Sequence, residues 1–521
     1  MKIGLFFGAG AEIGYGLPSG GKFAIDLFRE DPTPYKKELR KKLNKINSRS
    51  PYANNWLPKG YDTKSIFAFG KNEFTSLIES SIQYKKQEII SKINNYDDEF
   101  EYACKQLSLE VSKVKQKFFD TIGIEVGDIL FDQDIKINEK LTKDVKLFGS
   151  DFYSAGLEII RTQKNCDDLR RYVIAFLQLI IGAYGQDFVQ NLNEELFESA
   201  PDDIPIFDDI FGMFRLEFDR VGSTALDLLL NEERLFNISD DASMIELYSA
   251  INQRILENIF SYVLDYQKLI DDHFRYLFSP KTEWAKFTKM VIFLEIAHDY
   301  IVSQAPQELS PIGYYHDVKM LLQQGYSVEV LGTSNYNNLF QRVADELSFP
   351  TIKVFHLNGS TRDFYNPYKN EVLEIEDKST NTEEQILVPF MLTQSGLKPL
   401  TSVEMSRRYV ELFDAYKEVN VIISIGFGFN KDDSHINGLF RELIEKHNKK
   451  LCVVTVDKFE NEKTIRNKLR IDDNLDNVKV VHVDSTTRMA NNNIWFEEAI
   501  QLNKSTETIV EEEVEKQMAV V

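Results

Sequence analysis

Three regimes of hydrophobic patterning follow one another along the chain. Lys2 to Phe7 is a short apolar run closed by Gly8, the pattern of a buried parallel strand. Glycines recur at Gly8, Gly10, Gly14, Gly16, Gly20 and Gly21, and Phe23, Leu27 and Phe28 then fall at helical spacing. The prediction is strand, glycine-rich turn, helix. Asp31 to Gly70 is polar and broken by Pro32, Pro34, Pro51 and Pro58, which predicts an irregular excursion with one short basic helix. From about Asn72 to Ser303 glycine and proline thin out. Apolar residues recur there at three and four: Ile78, Ile82, Ile89, Ile93; Val173, Phe176, Leu177, Ile180; Ile251, Ile255, Ile259, Val263. These are amphipathic or buried helices. The absence of a fixed-period repeat argues against a solenoid.

After Tyr314 strands and helices alternate. Ser327–Leu331, Thr351–Leu357, Val419–Ile425, Leu451–Val456 and Val478–Val483 read as buried strands, and Leu339–Leu347, Glu404–Tyr416 and Ile436–Asn448 as helices. Asn366–Ser402 reads as loop-rich. Such alternation predicts an α/β fold, a Rossmann-type parallel sheet with helices on both faces, here carrying a large all-α insertion. The expected division is 1–71 and 304–504 for the α/β domain and 72–303 for the helical insertion. An acidic tail, 505–521, contains Glu511, Glu512 and Glu513.

Charge and composition narrow the class of partner. The 521 residues carry 61 Lys and Arg against 82 Asp and Glu, a net charge of −21. A field of that sign repels DNA and anionic lipid, so neither is expected as a partner. The longest apolar stretch, Val173 to Tyr184, is interrupted by Gln178 and falls short of the ~20 residues that span a bilayer. With Met1–Phe7 already read as a strand, no signal peptide is expected, and the expected location is the cytoplasm. Cys104, Cys166 and Cys452 are too far apart for a disulfide framework or a paired-cysteine zinc site. No His, Asp and Glu set has metal-ligand spacing, so no metal is expected.

A strand, a Gly-X-Gly turn and a helix form a nucleotide site by physics, since small residues let the backbone approach a pyrophosphate and the helix N-terminus supplies donors. The turn is more specific than that. Gly8-Ala9-Gly10-Ala11-Glu12 followed by Gly16-Leu17-Pro18 resembles the sirtuin signature, GAG-[IA]-S and then G-[IL]-P. Thr333-Ser334-Asn335-Tyr336-Asn337 follows a strand as the family's T-x-N-x-D does. His356-Leu357-Asn358-Gly359-Ser360 follows the next strand, where sirtuins carry His-Gly-[ST]. Ser424-Ile425-Gly426-Phe427-Gly428-Phe429-Asn430, with Asp432, Asp433 and His435, is similar to a turn of the bacterial sirtuin-like branch. That branch includes antiviral NAD-hydrolysing effectors, Thoeris among them. The resemblance covers about 2–21 and 328–483.

The resemblance implies a sirtuin-like domain that takes NAD as substrate and acts as a regulated antiviral effector depleting it. It implies a homo-oligomer, or a complex with a sensor protein of the same defence system, triggered by a phage protein or a nucleotide. Cofactor contacts would come from Gly8, Ala9, Gly10, Glu12, Gly16, Pro18, Thr333, Ser334, Asn337, Gly359, Gly426, Phe427, Gly428 and Asp457. Two departures stand out. The cysteines cannot build the zinc module of the deacetylases, and Ser19-Gly20-Gly21 stands where sirtuins read Asp-Phe-Arg.

Cleaving the nicotinamide–ribose bond passes through an oxocarbenium-like state that needs the ribose held and water admitted to its opposite face. Asn335, at a strand end, suits that task; as a bare turn residue it would also be unremarkable in type. Asn337 keeps hydrogen-bonding capacity but not the family's negative charge. Asn358 stands in place of the family's histidine base, and an amide accepts no proton near neutral pH. Three readings are open. His356, two residues earlier on the same strand face and about 6.6 Å along it, is the base; or water attacks unaided, positioned by Asn335 and Asn358; or NAD binds without cleavage. Asp457, after a strand, is either a ribose ligand or a helix N-cap; Asp484 is a weaker candidate of the same kind. His435 reads as structural, holding its turn. The alternatives to hydrolysis are a catalytically weak NAD or ADP-ribose sensor gating a partner, and a zinc-free deacylase or ADP-ribosyltransferase.

Overall fold

A computed structural model describes residues 1–17, 20–130, 135–137, 146–184, 207–209, 225, 228–230, 238–239, 241–263, 275–375, 385–391, 402–471 and 476–503. The acidic tail and Pro18 lie outside the described residues. The chain divides into two compact units, one of 1–19, 31–68 and 267–521 and one of 20–30 and 69–266.

The first unit is built on six parallel strands: β1 (Lys2–Phe7), β2 (Ser327–Thr333), β3 (Lys353–His356), β4 (Val421–Ile425), β5 (Lys450–Thr455) and β6 (Val478–His482). Their spatial order is β3-β2-β1-β4-β5-β6. This is the doubly wound order, with its reversal point between β1 and β4. The sequence supports it directly. β4 reads Val-Ile-Ile-Ser-Ile and is buried at every position, as a strand covered on both faces must be. One core layer gathers Leu5, Phe7, Ile423, Ile425 and Val454 against Tyr315, Val318, Phe340 and Trp495.

Register aligns the strand ends. Phe7 pairs with Thr333 on one side and Ile425 on the other, Thr333 pairs with His356, and Ile425 with Val454. The carboxyl ends of β1 to β5 therefore stop in one row. The segments that follow them, 8–17, 334–338, 357–362, 426–433 and 456–461, crowd along a single edge of the sheet.

Three expectations are revised. The excursion 31–70 holds two helices rather than one, Thr33–Lys45 and Pro51–Trp56. Pro34 and Pro51 sit in first-turn positions, where the missing N–H costs nothing, so they start helices instead of breaking them. Part of the loop-rich stretch after Asn366 is strand: Glu371–Glu374 and Val388–Pro389 pair on either side of Asp363–Asn366 in a three-stranded antiparallel sheet. Strands of two to four residues carry too few alternations to register in the pattern. The glycine turn does not run straight into an α-helix. Two 3-10 turns, Ala9–Ala11 and Ile13–Tyr15, intervene before the helix Gly20–Arg29.

The second unit is mainly helical, but not the all-α insertion expected, since Ile135–Ile137 and Phe207–Asp209 pair there as two short antiparallel strands. Helix Met244–Val263 packs against Gly20–Arg29, Asp167–Tyr184 and Tyr96–Gln106. Buried polar ties fix these contacts: Tyr96 Oη donates to Asn252 at 2.6 Å, and Arg29 meets Glu257 at 2.7 Å. Val173 and residues 175–180 are buried within the unit, so the chain itself covers that apolar helix. Among the described residues no helix is long and apolar enough to cross a membrane.

Candidate functional site

The two glycine turns at the reversal point are packed backbone to backbone. Gly8 N donates to Ile425 O and Gly10 N to Gly426 O, both at 2.9 Å. A Cβ on Gly8 would stand 2.5 Å from Gly426 O, and one on Gly426, whose φ is +68°, 2.2 Å from Ala11 N. These glycines are required by each other before any ligand is considered. Ala11 N and Glu12 N donate back to Gly8 O and Ala9 O. Four donors of the turn are thus engaged within the protein. The exposed part of the turn is the Ala9–Gly10 pair. Phe427 is buried edge-on against Phe6, with centroids 5.0 Å apart, and supports the second turn from beneath. Gly16, at φ +88°, closes the second 3-10 turn and is exposed.

Asn335 lies beside these turns and is only 6% exposed. Thr333 Oγ1 donates to Phe7 O at 2.9 Å and accepts from Asn335 N at 3.0 Å, while Ser334 N donates to Phe7 O. The segment after β2 is thereby tied to the end of β1. The Asn335 amide nitrogen donates to Gly8 O at 3.1 Å and to Tyr315 Oη at 3.3 Å. A carbonyl only accepts, so the amide orientation follows from its partner. Both N–H groups are committed, and the side chain presents its Oδ1 as an acceptor.

Glu12 sits under this asparagine, 5% exposed. Its Oε1 accepts from Tyr315 Oη at 2.6 Å and its Oε2 from Asn337 Nδ2 at 2.6 Å. Burial raises its pKa to about 7, against the hydrogen bonds from Tyr315 and Asn337 that pull it down. The Glu12 carboxylate is therefore bonded to protein groups on both oxygens. Asn337 Oδ1 accepts from Leu339 N at 2.9 Å, which closes the turn ahead of the helix Leu339–Glu346.

His356 and Asn358 bracket the end of β3. His356 Nδ1 faces Asn335 O at 2.8 Å and Nε2 faces Gln341 Nε2 at 3.2 Å. The carbonyl fixes the tautomer, with Nδ1–H donating and Nε2 accepting from Gln341. Burial lowers the His356 pKa, which keeps this neutral form. Asn358 Nδ2 donates to Ser334 O at 3.3 Å, and His435 Nε2 approaches Asn358 Oδ1 at 3.2 Å. His435, at the start of helix Ser434–His447, brings an imidazole to the position where the turn after β3 carries an amide. Gly359, at φ +85°, would set a Cβ 2.1 Å from Phe390 O.

A cleft of about 400 Å³ opens beside this cluster, lined by Asn337, Gln341, His356, Thr361, Asp363 and Arg408 among others. Asp363 and Arg408 form a two-pronged pair at 2.7 Å on its wall. A second cleft of about 340 Å³ shares Asn337, Asn338, Thr361 and Arg362 with it and reaches His298.

Asn335, Asn337, His356, Asn358, Thr333, Ser334, Glu12 and the glycines at 8, 10, 359 and 426 are thus brought to one place. The Asp457 side chain bonds within its own turn. It is exposed, and its Oδ1 accepts from Phe459 N at 2.9 Å, closing a turn. The N-cap of the following helix is Asn461, which accepts from Thr464 N at 3.0 Å, so the capping role read for Asp457 belongs there. Asp484 likewise holds its own turn, accepting from Thr486 and Thr487. Gly428 O accepts from Lys468 at 3.0 Å. Tyr315 and the pairing of His435 with Asn358 are the members no motif indicated. Tyr315 follows a long insertion and has no spacing relation to Glu12. Among the described residues no group of three His, Cys, Asp or Glu is arranged to hold a metal ion. No family model matches the chain, and no curated protein matches it.

Proposed function

We propose that this protein is a sirtuin-like NAD+ glycohydrolase, cleaving the nicotinamide–ribose bond to give nicotinamide and ADP-ribose. The observation that carries the reading is Asn335. It is a buried amide in the segment after β2, bonded to Gly8 O beside the reversal point of a doubly wound sheet, where such folds bind nucleotides. Its two N–H groups are held by Gly8 O and Tyr315 Oη, so its Oδ1 can accept from a ribose hydroxyl or from the attacking water. Nicotinamide leaves as a neutral base, the ribose takes on oxocarbenium character, and water adds to C1′ from the opposite face. The proton of that water passes to solvent or to a neighbouring acceptor. The work asked of the protein is positioning, which effective-molarity arguments value at several kcal/mol. Ala9 and Gly10, exposed at the first turn, and the clefts beside Asn337 offer room for the dinucleotide. The role as a defence effector, with an activating partner, is proposed on the motif resemblance.

One observation favours a second reading, a sensor that binds NAD+ or ADP-ribose without turnover. Both ring nitrogens of His356 are engaged by protein groups, and Asn358 cannot act as a base. Purified protein incubated with NAD+, with and without candidate activators, while nicotinamide release is followed, separates the two. Asn335→Ala is expected to lose at least tenfold in turnover with an unchanged melting curve. Retention of more than a tenth of wild-type turnover overturns the role given to Asn335.

A further inference from the structure

We infer that Glu12 and Tyr315 are positioning residues that set the orientation of the Asn335 amide and hold the segment after β2 in its working geometry. This rests on the NAD+ cleavage reading above and deepens it. Three elements meet here: the first glycine turn and, some 300 residues later in the chain, the helix Tyr314–Gln323 and the segment following β2. Tyr315 Oη donates its hydrogen to Glu12 Oε1 and receives one from Asn335 Nδ2. Glu12 receives a second hydrogen bond, from Asn337 Nδ2, on its other oxygen. One carboxylate thereby fixes Asn337 directly and Asn335 through Tyr315.

The chain of donors has only one consistent direction when Glu12 is ionised. Both carboxylate oxygens accept, the tyrosine hydroxyl passes one hydrogen on and takes one in, and the amide of Asn335 is left presenting oxygen. A protonated Glu12 would bring a third hydrogen to a network with no acceptor for it, and the tyrosine hydroxyl would have to turn. Tyr315 is itself held rigidly. Its ring stacks on Tyr15 at 5.3 Å and stands edge-on to Phe7 at 4.9 Å and Phe340 at 5.4 Å. Its backbone N–H donates to Tyr15 Oη at 3.0 Å. The hydroxyl is thus delivered to a fixed point, independently of any ligand.

The groups facing Glu12 are neutral ones: Tyr315 from its helix, with its hydroxyl proton held far above the neutral range by burial, and Asn335 and Asn337 from the segment after β2. Burial shifts Glu12 to titrate at about 7, so the ordered network fills as pH rises through neutrality.

Tyr315→Phe removes the hydroxyl and keeps the ring contacts. Its expected effect is a loss of tenfold or more in kcat for NAD+ hydrolysis and a KM within threefold of wild type, in a protein that is less stable but still folded at the assay temperature. In wild type kcat is expected to rise with pH through about 7, and in Glu12→Gln that limb is expected to vanish. A purely structural role would leave the pH profile of kcat in place. Turnover of Tyr315→Phe within twofold of wild type, or a pH limb retained in Glu12→Gln, overturns the inference. If the wild-type protein releases no nicotinamide under any condition, candidate activators included, the hydrolase reading fails by itself. The network is then read by calorimetry with NAD+, where Tyr315→Phe is expected to weaken binding at least tenfold and unchanged affinity overturns the inference.

Discussion

Replacing Glu12 by Gln perturbs a buried carboxyl whose ionisation the fold opposes. Its ordinary value is 4.5 and burial raises it to about 7. An acid whose pKa is higher in the folded state binds its proton more tightly there than in the unfolded chain. Its contribution to stability is therefore full below about 4.5 and is lost as pH rises through 7. A shift of about 2.5 units corresponds to about 3.4 kcal/mol in the high-pH limit, and to about 2.5 kcal/mol between pH 5 and pH 8. Glutamine cannot ionise, so Glu12→Gln lacks this term. The stability of the variant relative to wild type should accordingly improve by about 2–3 kcal/mol from pH 5 to pH 8. Any constant cost of fitting an amide among the donors of Tyr315 and Asn337 cancels in that difference. The measurement is urea unfolding at each pH followed by tryptophan fluorescence. Trp56, Trp284 and Trp495 all lie in the unit that contains Glu12, so the signal reports on that unit. A gap between the two proteins that changes by less than about 0.5 kcal/mol across the range would refute the reasoning, and with it the burial argument for Glu12. Taken with the inferred role of Glu12, the protein gives up stability at neutral pH to keep an ionised carboxylate under its candidate catalytic amide.

Two further outcomes are expected. Gly426→Ala forces a Cβ to 2.2 Å from Ala11 N at a φ of +68°, so the contact between the two turns must open. The expected loss is about 2 kcal/mol or more of stability in the same fluorescence assay; a neutral result would mean the turns are not in contact in solution. Because His356 is neutral with both ring nitrogens engaged, Asn358→Ala should lower NAD+ turnover more than His356→Gln does. The opposite ranking in nicotinamide release would return His356 to the role of base.

Much of the fold is written in local patterns. The apolar runs ending in glycine or in Thr-x-Asn mark β1, β2 and β4 to within two residues of their bounds, because a strand buried on both faces must be apolar throughout. The helical character of the insertion is equally local, since periodicity of three and four is a property of short windows. The short strands at Glu371–Glu374 and Val388–Pro389 escaped that kind of reading for the converse reason: their pairing with Asp363–Asn366, not their own pattern, makes them strands.

Chemistry divided along the same line. The residue types in the turns, Gly8, Gly10, Asn335, Asn358 and Gly426, stand out in the sequence because turns restrict which side chains fit. What those residues touch was decided by the sheet. The register that puts Phe7, Thr333, His356 and Ile425 in one row made Gly10 a contact for Gly426. It brought Glu12 under Asn335 and Asn337, where both carboxylate oxygens bond to protein. It also set His435 against Asn358 across 77 residues, and Tyr315 against Glu12 across 303. A hydrogen bond between side chains so far apart leaves no periodic trace in a sequence. Its energy depends on distance and burial, and only the packed chain has those.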